Sequence, residues 1–230
     1  MKKVLFPCLS AIVLLISCSK DDPASNNPAA DKYQSIATGN KWIYDVTTNP
    51  GTPTQSTVPD TVTTTATDTS VTLSGSSRTY RIFKHSNGDI SDYYNITGND
   101  YYRFQKVDLN GTLLQIEDLY LKDNQPLNTT WSQTLNLNLP GFPFAVPVTV
   151  TNTIIEKGSS RTVNGTAYTD VIAVKTDITS SGLPAGTIVT DIKTYYAKKV
   201  GMIEAIYKIQ IAAASVDINT KTILKSATIQ

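Results

Sequence analysis

The chain is nearly empty of the residues on which most enzyme chemistry depends. Its 230 residues hold one histidine, two cysteines, two methionines and two tryptophans. Both cysteines, Cys8 and Cys18, fall in the first 18 residues. Everything after them is without a thiol, which excludes a disulfide scaffold and a thiolate metal site. Any Ser-His-Asp hydrolase would have to use His85, and no G-x-S-x-G turn accompanies it. H-E-x-x-H, Walker and dinucleotide motifs are absent. Charge of one sign is also missing: 20 basic residues stand against 19 acidic ones. Nothing in that balance draws the chain to nucleic acid or to an anionic membrane surface. No window carries a convincing apolar stripe at helical spacing.

What the chain has is threonine, 33 of them, with many valines and isoleucines and 12 tyrosines. β-branched and aromatic side chains fit a pleated, half-buried surface. In "TLNLNL", Leu135, Leu137 and Leu139 share one face and Thr134, Asn136 and Asn138 the other. In "AVPVTVTNTI", Val146, Val148, Val150 and Ile154 oppose Thr149, Thr151 and Thr153. Such alternation puts one face in a core and one in water, the mark of antiparallel sheet. Asn87-Gly88, Asn110-Gly111, Asn164-Gly165 and "ITGND" at 96–100 are tight-turn signals.

The pattern predicts strands near 41–48, 55–66, 69–74, 78–85, 91–97, 100–108, 111–121, 130–139, 145–157, 161–174, 187–197, 201–212 and 215–229, with one short turn in "DKYQSIATGNKW". The expected fold is all-β: a long antiparallel meander curled into a barrel, a half-barrel or two packed sheets, with little or no helix. Residues 32–230 read as one domain. Trp42 and Trp131 each open a strand, and the doublets Tyr93-Tyr94 and Tyr195-Tyr196 follow in the same order. That order suggests two pseudo-repeats near 41–125 and 130–230.

Candidate sites are few. His85 beside "SNGD" reads as a surface histidine at a hairpin; the sharper alternative is a dyad with Asp89. Adjacent Glu117 and Asp118 point to opposite faces, and Glu156 and Glu204 beside lysines read as solvated strand edges. No catalytic residue, cofactor or metal is implied. The aromatics are the best binding candidates. Tyr93, Tyr94, Tyr101 and Tyr102 flank one tight turn, with one ring of each doublet inward and one outward. The outward rings suit sugar stacking, a partner protein or simple cross-strand support. Phe142 and Phe144 in "LPGFPFAVP" suit a cap over an open barrel end or an exposed lip for lipid or partner.

The opening "MKKVLFPCLSAIVLLISCSKDD" has Lys2 and Lys3, an apolar run too short to span a bilayer, and a small residue before Cys18. "LISC" resembles the lipobox of bacterial lipoproteins. The resemblance implies that residues 1–17 are removed and that Cys18 carries lipid, which makes the membrane a partner. Residues 18–31 then form a polar tether reaching at most about 40 Å. "SKDD" (Ser19, Lys20, Asp21 and Asp22) resembles the acidic export signal of Bacteroidota-type lipoproteins. It implies the outer membrane, facing the cell exterior, with a periplasm-facing position as the alternative. "DTV" resembles a short O-glycosylation signal of the same group, on Thr61.

"GNKWIYDV", "LYLKDNQPLNTTWSQTL" and "TYYAKKVGMIEAIY" together resemble uncharacterised Bacteroidota lipoproteins in which these three segments recur in this order. Asn128-Thr129 and Lys199 stand where that pattern has glycine. Some relatives are similar to the lipoprotein-carrier superfamily, a curved antiparallel sheet around an apolar cavity plugged by helices, which this chain lacks. The expected function is a non-catalytic binding or structural lipoprotein with a protein, glycan or hydrophobic ligand. The alternative is a periplasmic carrier of lipid on a concave face with Ile203, Ala205 and Tyr207. A hydrolase is the third reading.

Overall fold

A computed structural model describes residues 31–73, 76–88, 91–109, 112–138, 144–212 and 216–230. Its strands are β1 (Lys41–Thr48), β2 (Ser56–Leu73), β3 (Ser76–His85), β4 (Ser91–Thr97), β5 (Asp100–Leu109) and β6 (Thr112–Lys122). They continue as β7 (Thr130–Leu137), β8 (Val146–Val163), β9 (Thr166–Ser180), β10 (Ile188–Ala197), β11 (Gly201–Ile211) and β12 (Val216–Thr228). All pairings are antiparallel, in the order β6-β5-β4-β3-β2-β1-β12-β11-β10-β9-β8-β7. The sheet is an all-β meander rolled into a nearly closed barrel.

Two predicted boundaries are wrong. The predicted break at 67–68 is a register shift inside β2, between Thr64 and Asp68. The predicted break at 158–160 is a run of bulges in β8, where Gly158 takes φ 67. The hairpin turn lies instead at Asn164-Gly165, both at positive φ (48 and 78), and Val163 pairs Thr166 across it. Bulged long strands bend, and both long hairpins, β2–β3 and β8–β9, fold back over the barrel's outer face. Arg78 on the first lies 3.5 Å from the Tyr102 ring and donates to Glu117 at 2.9 Å. Arg161 on the second lies 3.4 Å from the Tyr195 ring and donates to Glu204 at 2.8 Å.

The barrel is closed differently at its two junctions. β1 and β12 share a backbone ladder from Lys41↔Thr228 to Thr48↔Thr220. Among the described residues no such ladder joins β6 to β7, whose strands are bridged by side chains. Gln133 donates to the Glu117 carbonyl and accepts from the Leu119 amide at 3.5 Å, a side-chain amide standing in for a peptide group. Trp131 Nε1 and Asn152 Nδ2 both donate to the Leu119 carbonyl, at 2.5 and 3.1 Å.

One end is stoppered by residues 32–40, an irregular segment rather than a helix. The Tyr33 amide donates to the Tyr101 hydroxyl at 3.2 Å, and the Tyr33 hydroxyl donates to Asp170 at 2.6 Å. The backbone of Gly39 and Asn40 bonds Thr64. Beneath this stopper Tyr33, Tyr101, Leu121, Ile154, Ile172 and Tyr196 make one apolar cluster. Outward faces carry threonine and charge, including the pairs Lys175–Asp177, Lys193–Asp191 and Lys225–Asp45. A polar outside and an apolar inside is the reverse of a barrel whose outer wall meets lipid.

Asn128 and Lys199, the two departures from glycine, both adopt left-handed backbone (φ 66 and 67). That geometry is why glycine suits those turns. Gly201 needs the residue it has: at φ 105, a Cβ there would sit 3.2 Å from Trp42 Nε1.

Candidate functional site

Period-two alternation sends every second side chain of twelve strands into one lumen. The result is a cavity of about 530 Å³. Toward the open end its walls are aliphatic, with Leu135, Val148, Ile178, Ile192, Ile209 and Ile218 among them. Toward the stoppered end Trp42, Phe83, Tyr94, Tyr120 and Tyr196, with the thioether of Met202, form a largely aromatic floor. The Trp42 and Phe83 rings stack with centroids 5.5 Å apart.

Between floor and mouth lies a polar layer whose charged members all come from β2–β6: Asp60, His85, Asp92, Arg103 and Asp118. Arg103 reaches furthest. Its Nη1 donates at 3.3 Å to the Tyr207 hydroxyl, on β11, half-way round the twelve-strand ring. The guanidinium therefore spans the lumen. Its Nη2 lies 3.7 Å from Asp118, and its Nε makes no hydrogen bond. About a fifth of the side chain (19%) stays exposed, and it lines the cavity. Burial works against its charge, but Tyr207, Tyr94, Asp118 and Asp92 outweigh burial and hold it firmly protonated.

His85 sits between two carboxylates. Its Nδ1 is 2.6 Å from Asp60, and its Nε2 is 3.5 Å from Asp92 without a formed hydrogen bond. Burial lowers its pKa, yet Asp92 and Asp60 more than reverse this and raise it to about 9. An imidazole protonated at neutral pH has no lone pair to act as a base. Ser86 Oγ donates to Asp60 rather than to the histidine. Asp92 is lowered, because His85 and Arg103 outweigh its burial. Asp118 is raised, because burial outweighs Arg103 and Asn152. Burial also pushes the Tyr94, Tyr120 and Tyr196 hydroxyls well up, so all three remain donors. Among the described residues, no three His, Cys, Asp or Glu side chains are placed to hold a metal.

Set against protein-family models, curated proteins and solved structures, the chain matches none. The site therefore rests on its own geometry.

The structure splits the tyrosine doublets as alternation requires. Tyr94 lines the cavity, and Tyr101 is fully buried beneath the stopper, donating to Asp123 at 2.5 Å. Tyr93 and Tyr102 face outward, where protein already covers them: Tyr93 meets Phe104 (centroids 5.4 Å apart) and Tyr102 lies under Arg78. Phe144 is 59% exposed at the mouth; Phe142 lies outside the described residues. Thr61 is half-buried in β2, and its amide donates to Ser86 Oγ at 2.8 Å. Cys18, Ser19, Lys20, Asp21, Asp22 and Asp89 lie outside the described residues.

Two expectations are corrected. His85 is not a surface residue, because Asp60 and Asp92 draw its ring into the lumen. Glu204 is not a solvated edge: it is 6% exposed, clamped by Arg161 under the β8–β9 hairpin and by Lys221 at 3.2 Å. Of the three residues expected on a concave face, Tyr207 lines the lumen, while Ile203 and Ala205 are fully buried. Arg103 and Gln133 escaped sequence reading. The signal that marks Arg103 is its place on the inward face of β5, in phase with Tyr101 beyond the bulge.

Proposed function

We propose that this protein is a non-catalytic binding protein that takes an apolar molecule with a polar end into its barrel. The observation that carries this reading is the lumen: about 530 Å³, stoppered at one end, aliphatic toward the other and crossed by an arginine. That volume lies in the range of small-molecule sites, about 300–1,000 Å³, and apolar walls with a few placed polar groups are their usual construction. The lipobox-like "LISC" would tether the barrel to the outer membrane through lipid on Cys18. In that setting the barrel holds or carries a hydrophobic ligand at the membrane surface. Protease shaving of intact cells separates the two orientations: loss of the domain means the cell exterior, and protection means the periplasm.

The binding test uses a neutral dye, N-phenylnaphthylamine, titrated into the folded chain. Saturable, one-to-one fluorescence enhancement with quenching of Trp42 is expected, since Trp42 lines the floor. Ile192→Trp, which fills the lumen from β10, should abolish it. Enhancement that never saturates, or that survives Ile192→Trp, would sink the reading.

A further inference from the structure

From the lumen's polar layer we infer that the ligand is a single-chain acid, its carboxylate held by Arg103 and its hydrocarbon chain running along the aliphatic wall toward the mouth. This rests on the binding reading above and names the ligand's class.

Three observations carry it. First, the guanidinium is under-used. It has five N–H donors, a hydrogen bond from one to Tyr207, and an ion pair to Asp118 at the loose distance of 3.7 Å. Buried polar groups are normally satisfied, so an arginine this poorly paired inside a barrel calls for an acceptor of matching geometry. The neighbouring Tyr120 hydroxyl is likewise buried without a partner, and its ring lies 6.0 Å from the guanidinium. Nε and this hydroxyl are closed off from the cavity space, so the head group meets the exposed part of the guanidinium.

Second, the carboxylates around Arg103 divide their acceptors between it and other donors, and among the described residues none makes a direct hydrogen bond to the guanidinium. Asp60 is bonded by His85, by the Ser86 amide and hydroxyl, and by the Asn87 amide. Asp92 takes Gln105 at 3.1 Å and faces His85. Asp118 accepts from Asn152 at 3.4 Å. Third, among the described residues the opposite wall, β7–β12, puts no charged side chain into the lumen. It offers the hydroxyls of Thr176, Thr194, Tyr207 and Thr222, with Tyr207 on the arginine, and aliphatic side chains toward the mouth. A molecule with one acidic end and one long apolar chain matches that gradient.

The test compares four probes of one chain length on the wild-type protein, each displacing N-phenylnaphthylamine: dodecanoate, dodecanol, methyl dodecanoate and dodecylammonium. Dodecanoate should bind about tenfold or more tighter than the alcohol and the ester, the scale of one charge-assisted hydrogen-bonded pair. Arg103→Met should erase that preference, read as the ratio of dodecanoate to dodecanol affinity. The wild-type comparison stands by itself if this variant does not fold. Equal binding of acid, alcohol and ester would overturn the inference, as would tightest binding of the ammonium, which would assign the site to Asp92 and Asp118. Dye binding without any dodecanoate competition overturns this inference alone. Absence of dye binding overturns the binding reading beneath it.

Discussion

The two halves of the barrel share several scaffold features and are lined with different chemistry. Each has six strands, opens on a tryptophan strand, and has an 18-residue second strand: β2 in the first half, β8 in the second. Each folds its long hairpin back so that an arginine stacks on an outward tyrosine and pairs with a glutamate. Yet among the described residues all five charged groups in the lumen come from β2–β6, and β7–β12 contribute hydroxyls, an amide and mainly hydrocarbon. The shared features lie mostly in the scaffold and the difference in the cavity. What the comparison teaches is that outer-face clasps and strand lengths are common to both halves, whereas the charged wall is particular to one, which is what the binding reading proposed above requires.

The largest expected effect separates the two tryptophans. Trp42 is fully buried, stacks on Phe83 and donates to the Val200 carbonyl at 2.6 Å. Trp131 is half-buried and bridges the seam. Trp42→Ala should cost about 3–5 kcal/mol and Trp131→Ala about 1–2 kcal/mol in urea unfolding. Equal costs would mean that the β6–β7 seam is as much a part of the core as the β1–β12 ladder.

Next is the pH dependence of the charged wall, which the second half cannot share. His85 has a folded pKa of about 9 against an ordinary value of 6.5. A raised pKa means that its stabilisation is fully present below 6.5 and is lost as pH rises through about 9. Discounted for solvent screening of a partly exposed ring, the loss is about 2 kcal/mol. Asp92 works in the opposite direction: its lowered pKa gives stability above the usual carboxylate range that disappears in acid. Thermal midpoints across neutral to alkaline pH should fall for the wild type and stay nearly flat for His85→Gln.

Much of this was legible in the sequence where the rule is local. Alternation placed Leu135, Val148 and Val150 on the inner face, and it split Tyr93 from Tyr94 and Tyr101 from Tyr102 correctly. Asn164-Gly165 marked a turn. The polar layer was not legible, because its partners lie on different strands: Arg103 finds Tyr207 across the barrel, 104 residues away, and His85 finds Asp60 on the neighbouring strand, 25 residues away. No strand pattern says which residues of opposite walls will face each other. The seam was hidden for a related reason, since a glutamine in an alternating strand looks like any other polar residue until a neighbouring edge lacks its ladder.

That seam gives the next prediction. Gln133→Ala removes the amide that substitutes for backbone pairing between β6 and β7. Amide exchange at Leu119 should speed up about tenfold, corresponding to about 1.4 kcal/mol of local opening, while β1 and β12 amides keep their protection. Uniform acceleration across both junctions would instead mean that the barrel opens as one unit.

The smallest effect tests whether the two clasps are equivalent. Arg161→Met leaves buried Glu204 with Lys221 alone, whereas Arg78→Met leaves the half-exposed Glu117 with its bond from Tyr80. Stacked arginines contribute about 0.5–1 kcal/mol at partly exposed sites. A deprived buried carboxylate adds to that cost. Arg161→Met should therefore destabilise by about 1 kcal/mol and Arg78→Met by about half as much, and neither should change binding of N-phenylnaphthylamine. A change in dye affinity for either variant would show that the hairpins on the outer face control the shape of the lumen, and the division between scaffold and cavity would then fail.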